Sequence, residues 1–477
     1  MIGFILMGLL AAFIGIIAAR TVAFKPKPQP EEPREDIAFH LDDAVDALAQ
    51  MIRCKTISYF NHAQEDEAEF QKFIDLLPKL YPNVFAACSF RQLPDRALLF
   101  HWKGREEGHP TVLMAHYDVV PVNEENWDKP PFEAIIEDGV LWGRGTLDTK
   151  STVNGVLYAA NHLIGQGYQP QHDIYFAFSG GEEVNGKGAP NIVAYFQEQS
   201  ITPAMVLDEG GAVVQDVFPG VKQACAVVGI AEKGMLNAQY RTVSAGGHAS
   251  SPKPHTPVGI LAAACKKVED HPFPMHLTKP AAEMFDTLGR HSTLLYRMIF
   301  ANLWCFGWVL DLLGKKSGGE MNALLRTTSA FTQMEGSAAP NVIPPEARMV
   351  ANMRLNPADS VASALEYLKK TVNDPKVEIC AVDSFEPSNI SRTDCEAWEK
   401  ISSVITQVWP GTIVTPYLMV ACSDARHWSK VSDKVYRFCP MEMTAEERGT
   451  IHGNNDRMRL KCIGDVVQFY IRLMKKC

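Results

Sequence analysis

Residues 173–183 read DIYFAFSGGEE. A short, unbroken apolar run stops at two glycines and then at two adjacent acids. Such a run, bounded by glycine, marks a strand buried on both faces of a sheet. Two more stretches share the form: TVLMA (111–115) stops at His116 of HYD, and AMVL (204–207) stops at Asp208 of DEGG. Between the first two, Ser151 to Gly165 reads as a crossover helix. Strand, helix and strand, with chemistry at the strand ends, is how open α/β sheets build their sites. An α/β fold is therefore expected. Ala38 to Ile52 and Glu67 to Leu80 show helical spacing of apolar residues, the second ending near Pro82.

Size and composition narrow the function. A chain of 477 residues suggests two or three domains, and 46% hydrophobic with 21% charged residues is a globular composition. The net charge of −9 and the lack of a Lys/Arg stripe leave no footprint for nucleic acid. Eleven cysteines, an odd number without a CxxC pair, argue against both a disulfide scaffold and a thiolate zinc site.

The first twenty residues stand apart. Met1 to Ala19 carries no charge and would span roughly 28 Å as a helix, about the thickness of a bilayer core. An uncleaved signal is the rival reading, although the usual basic start is missing. Arg20, Lys25 and Lys27 follow the apolar run, which leans toward a cytoplasmic body. A single membrane anchor (1–20) is expected, then a stiff Pro-rich tether (21–36) containing KPKPQPEEP.

Several polar fragments carry chemistry. His116 and Asp118 lie two apart, so an extended segment turns both to one side. A metal-bound imidazole needs an acceptor for its other N–H, which Asp118 can supply. In GRGTLDTK, Asp148 sits after two glycines and just before a helix; it suits a cation pair or a helix N-cap. Glu182 and Glu183, like Asp208 and Glu209, are adjacent acids that would repel one another unless cations were near. With His452 of IHGNND, the residues His116, Asp148, Glu183 and Asp208 make a plausible donor set for two Zn²⁺ ions, with Co²⁺ or Mn²⁺ as substitutes. Glu182, beside a ligand, stands where a general base is wanted.

The fragments HYD, GRGTLDTK, SGGEE, LDEGG and IHG resemble the M20 family of dinuclear zinc peptidases and amidohydrolases. They are most similar to its carboxypeptidase S and N-acyl-amino-acid hydrolase branch. NWDKPPF, NALLRTTSAFTQMEG, PNVIP and SDARH add to the likeness, which runs from about Ile37 to Cys477. It implies a zinc-peptidase-like catalytic domain, a mixed sheet flanked by helices, with an inserted α+β ferredoxin-like lid that also serves dimerisation. The expected boundaries are 37–231 and 356–477 for the catalytic domain and 232–355 for the lid.

By the same resemblance, Asp148 bridges two metals, His116 and Asp208 complete one, and Glu183 and His452 the other. Asp118 orients His116, and Glu182 is the base. His248 of GGHAS would reach a partner's site in a homodimer and stabilise the oxyanion. Asn341 and Arg354 would hold the substrate's free carboxylate, and Ser423, Asp424 and Arg426 would line the pocket. Two departures stand out: Thr149 follows Asp148 where relatives carry an acid, and Cys422 replaces a glycine. Met298 to Leu310 is uncharged and too short to span a bilayer. It is expected as a buried lid helix or dimer contact, with an acyl-chain groove or a membrane-dipping helix as the other readings. The expected activity is hydrolysis of amide bonds in small substrates with a free carboxylate, carboxypeptidase-like first and N-acyl-amino-acid hydrolase second. A membrane-tethered binding protein without catalysis is the rival from another class.

Overall fold

The three apolar runs become neighbours at the centre of an eight-stranded sheet. This computed structural model describes residues 2–29, 33, 36–216 and 218–477. The strand order is Ser89–Leu93, Ala97–Trp102, Ile174–Ser179, Thr111–His116, Met205–Val214, Val435–Glu442, Cys225–Glu232 and Ile413–Met419. Thr111–His116 runs parallel to both Ile174–Ser179 and Met205–Val214. All residues of the first two of these strands are buried. Their composition follows from that burial, because helices cover both faces of a parallel sheet. The register sets His116 opposite Ser179, so the histidine and the GGEE turn leave the sheet side by side.

The crossover helix is Lys150–Gly165, buried along most of its length against the C-terminal helix Leu460–Lys475. Gly155 admits the Val466 side chain where a Cβ would clash. The other expected helices form as Leu41–Ile52 and Glu67–Leu80. All eleven cysteines are free.

A second, four-stranded antiparallel sheet is ordered Thr328–Glu335, Glu346–Leu355, Gly234–Val243 and Glu378–Phe385. Helices Pro257–Asp270 and Val361–Val372 cover one face and enclose a core of their own around Leu236, Tyr240, Met349 and Leu368. This sheet departs from the expected lid at both ends of the argument. Its edge strand Glu378–Phe385 lies beyond Leu355, because the chain returns after a helix to pair with Gly234–Val243. Within the expected range, the helices from Lys279 to Leu325 leave the small sheet and pack Met284, Phe285, Leu288 and Leu325 on the outer strand Ile413–Met419 of the large one.

Met298 to Leu310 is not the buried helix expected first. It is a sharp pair, Leu294–Ala301 and Leu303–Ser317, bent by 112° at Asn302. Trp304 and Trp308 are 57% and 67% exposed. The apolar N-terminus is one helix, Ile2–Ala23, of mean hydropathy 2.6, long and apolar enough to cross a membrane. Past it, Lys27 pairs with Asp286, and the Gln29 side chain both donates to Val414 O (3.0 Å) and accepts from Val414 N (2.8 Å). The start of the expected tether is thus docked along the free edge of the large sheet, an edge that is otherwise open to pairing. The tether positions Pro30 to Glu32, Arg34 and Glu35 lie outside the described residues.

Candidate metal centre

Strand Thr111–His116 ends in the buried His116, and the next residue, Tyr117, turns the chain. Its ring stacks on Phe73 at 4.7 Å and fills the space a Cβ at Gly180 would need. A glycine is therefore required where the neighbouring strand passes the ring, and the GGEE turn can lie close to HYD. Asp118 then points back. Its Oδ1 accepts from Glu182 N (3.1 Å) and its Oδ2 from Glu183 N (3.2 Å), while Oδ1 is 3.3 Å from His116 Nδ1. One fully buried carboxylate fixes three of the expected site residues.

Asp148 is delivered by the loop after Val140–Trp142, and the Asp148–Thr149 peptide is cis. The two oxygens of Asp148 have different partners. Oδ1 lies 2.9 Å from His116 Nε2, and Oδ2 lies 3.0 Å from His452 Nε2. His452 Nε2 is also 3.0 Å from Glu183 Oε2. A carboxylate between two imidazoles, each facing a further acid, is the disposition needed for a bridging ligand.

Asp456, which the sequence reading passed over, ties the loop of Asp148 to the turn of His452. Its Oδ2 accepts from Gly145 N (2.8 Å) and its Oδ1 from Thr146 Oγ1 (2.7 Å). Its main-chain carbonyl accepts from Gly143 N, and the neighbouring Arg144 reaches both Asp456 Oδ2 and Gly453 O. Nothing in GNND distinguishes this acid from its polar neighbours until the turn is folded.

The strand Met205–Val214 places its two acids on opposite sides, as alternation requires. Glu209 Oε1 lies 3.4 Å from His116 Nε2 and clusters with His116 and Glu182. Asp208, the expected ligand, is buried in the field of Asp424 and Arg437, and its Oδ2 has no hydrogen-bond partner. Of the two acids, Glu209 is the one within ion-pair distance of His116. The adjacent acids of DEGG were the available signal, but a sequence cannot say which of the two faces the histidine.

Five acids (Asp148, Glu182, Glu183, Asp208 and Glu209) meet two imidazoles here, and protons stand in for missing positive charge. Burial, with only partial relief from His116, pushes Glu209 up to about 8. Burial and then Asp424 push Asp208 up to about 6. Burial also drives Glu182 well above the usual range, and Glu183 rises from burial and Asp148. Hydrogen bonds to Asp148 and then Glu183 hold His452 up at about 10. Burial opposes charge on His116, yet Glu209, Asp118 and Asp148 carry it well above its usual value. The carboxylates of Asp148, Glu183 and Glu209 gathered around His116 and His452 fit divalent cations; oxygen and imidazole donors suit zinc or its neighbours.

The expected substrate residues divide. Ser423 is buried, and its N and Oγ both donate to Glu232 Oε2, which also takes Arg437 Nε at 2.8 Å. Asp424 Oδ2 accepts from Ser179 Oγ at 2.5 Å, behind the GGEE turn. Arg426 donates to Ser423 O (2.7 Å) and to Asn185 Oδ1 (3.1 Å), three residues from Glu182. Arg354, on the small sheet, points its Nη1 at Cys422 Sγ (3.1 Å) and so bridges the two sheets. His248 is exposed on a short ladder opposite Val342, and Ala249 N donates to Asn341 O, so these two expected residues are neighbours. Among the described residues, neither is hydrogen-bonded to the His116–Asp148–His452 group within one chain. A cavity of about 150 Å³ lies beside the strand that carries Glu209: Gly210 and Gly211 form part of its wall, with Phe218, Met284, Leu288 and Leu324 apolar and Glu320 and Arg448 charged.

Comparison with known proteins agrees with this geometry. Residues 112–476 match the model of Peptidase family M20/M25/M40. The chain is 34% identical to a probable carboxypeptidase S-like 2 of Dictyostelium discoideum, covering 100% of this chain and 94% of that protein. It is 35% identical to the N-fatty-acyl-amino acid synthase/hydrolase PM20D1 of Xenopus tropicalis over 90% of this chain and 85% of that one. The fold is similar to that of the M20 family metallo-carboxypeptidase Sso-CP2 from Sulfolobus solfataricus (TM-score 0.66, 15% identity, 91% and 98% of the two chains). The chain belongs to peptidase family M20/M25/M40, a metal-dependent family, and is a hydrolase of amide bonds.

Proposed function

We propose that the protein is a two-metal amide hydrolase for small substrates with a free carboxylate, taking N-acyl amino acids ahead of dipeptides. The observation that carries the metal assignment is Asp148, whose two oxygens face His116 and His452 separately. In this reading His116, Asp148 and Glu209 would hold one Zn²⁺, and His452, Asp148 and Glu183 would hold the other, with Co²⁺ or Mn²⁺ as substitutes. When bound, the ions would supply Lewis acidity at the scissile carbonyl and a lower pKa for the attacking water.

The chain's own groups do the rest. Glu182 is held at its backbone by Asp118, and burial makes its carboxylate a strong base, opposed by His116. It takes the water's proton and returns it to the leaving amine. Arg354, which donates to Cys422 Sγ, and Arg426, which donates to Ser423 O, would offer guanidinium groups to the substrate carboxylate, with Asn341 on the lid beside His248. His248 would serve the centre of a second copy, as the lid of a homodimer. The N-terminal helix is read as a membrane anchor rather than a cleaved signal.

The order of the two substrate readings reverses the one drawn from sequence because of the relative named as an N-fatty-acyl-amino acid synthase/hydrolase and the largely apolar cavity walled by Gly210 and Gly211, which follow Glu209 in the chain. A dipeptide gives little to bury there, whereas an acyl chain gains about 0.8 kcal/mol per methylene. The relative named as carboxypeptidase S-like keeps the peptide reading second. The test is a panel of N-acyl amino acids of increasing chain length, matching dipeptides and their C-terminal amides. kcat/KM should rise with acyl length and collapse on amidation. Equal rates on amidated substrates would remove the carboxylate anchor, and a preference for dipeptides would restore the peptide reading.

A further inference from the structure

The bent helix pair Leu294–Ala301 and Leu303–Ser317 presents its apolar residues outward. Leu294, Leu295, Trp304, Trp308, Leu312 and Leu313 are each about half exposed or more. An exposed apolar surface of this extent marks an interaction site. What covers it is indicated by its neighbour, because the pair is docked on the N-terminal helix Ile2–Ala23. Phe13 meets Trp304 edge to face at 5.7 Å. Arg20 Nε donates to Ala301 O at 3.1 Å. At the bend, the fully buried Asn302 sends its amide to Met298 O, Ile17 O and Thr21 Oγ1, and Thr21 Oγ1 donates to Ile17 O.

We propose that this helix pair is a second bilayer contact, a hairpin seated in the leaflet beside the N-terminal span. Three features favour lipid over a protein partner. The apolar surface is continuous with a helix that is itself almost wholly exposed and of membrane length. Asn302 and Thr21, the uncharged polar side chains where helix and hairpin meet, are satisfied from within, as hydrocarbon demands. The terminal Lys315 and Lys316 suit the headgroup level, where basic side chains concentrate, and the exposed rings of Trp304 and Trp308 add apolar surface below it. Removal of Ile2–Ala23 as a signal would also strip Asn302 of two acceptors and Ala301 of its donor. The inference rests on the anchor reading above and goes beyond it: the catalytic body would lie against the membrane rather than hang from a tether.

The test uses the full chain in phosphatidylcholine vesicles, with and without bromine on the acyl chains, and reads tryptophan emission. The other six tryptophans lie in 102–142 and 398–428. If Trp304 and Trp308 alone reach lipid, bromolipid should remove about a quarter of the emission, two tryptophans of eight. W304F/W308F should abolish that loss. Vesicle-bound protein without quenching, or quenching that survives W304F/W308F, overturns the proposal. A chain that does not join vesicles at all overturns both this and the anchor. Amide hydrolysis measured on the same sample reports independently on the proposed reaction. If quenching is absent and W308E converts a dimer to a monomer, the surface belongs to a second copy instead.

Discussion

Asp118→Asn isolates what one buried carboxylate does for the site. In the native chain each oxygen takes one backbone N–H of the GGEE turn, at 3.1 and 3.2 Å, and Oδ1 also faces His116. Asparagine keeps the shape but has one acceptor, so its NH₂ must face either Glu182 N or Glu183 N, donor against donor. One charge-assisted bond is lost, about 1.5–3 kcal/mol, and a buried N–H is stranded at about 1–3 kcal/mol. A combined loss of about 3–4 kcal/mol at the turn corresponds to a fall in kcat/KM of about 10²–10³, since 1.36 kcal/mol is tenfold. The variant should be assayed under saturating metal on one good substrate, with metal content and thermal midpoint measured in parallel. Metal retained with kcat reduced a hundredfold or more is expected. An Asp118→Asn enzyme within about threefold of wild type would refute the view that Asp118 positions Glu182 and Glu183, because even a single lost hydrogen bond exceeds that.

Asp456→Ala should loosen both the loop of Asp148 and the turn of His452, leaving Arg144 buried without its acid; a stability loss of about 3 kcal/mol or more in denaturant melts, with kcat falling and KM little changed, checks the clamp. Glu209→Gln should weaken metal binding more than about a hundredfold, beyond what outer-shell changes cause, and more than Asp208→Asn does; competition with a chelator ranks the two, and the reverse order would return Asp208 to the ligand set. The metal-free protein should lose stability as pH rises from 5 to 8. Glu209 is held up to about 8 in the fold and lies near 4.5 when unfolded, so between those values the folded chain binds more protons and raising pH favours unfolding. His452, held at about 10, acts in the same direction. Metal should flatten that slope, and thermal midpoints at several pH values with and without chelator provide the check.

Much of this was legible because the central strands are buried on both faces. DIYFAF and TVLMA read as buried-strand candidates ending at charged residues, and both form interior strands. A helix such as Leu41–Ile52 announced itself by period, whereas Lys150–Gly165, buried nearly all round, was placed by its position between two strands. What stayed hidden depended on contacts distant in sequence. The return of Glu378–Phe385 to the small sheet, and the flight of Lys279 to Leu325 to the large one, leave no local mark. The choice between Asp208 and Glu209 turns on strand facing, which two adjacent acids cannot reveal. Asp456 became significant only once a turn brought it under Gly145, and Gln29 only once it met the edge at Val414.

The central claim, two metal ions shared across Asp148, is tested most directly by titrating the chelated protein with Zn²⁺ while following activity and bound metal together. Activity should rise to its plateau only as the second equivalent binds, and Asp148→Asn should hold neither ion tightly. Full activity in the metal-free chain, or a plateau reached at one equivalent, would contradict the account.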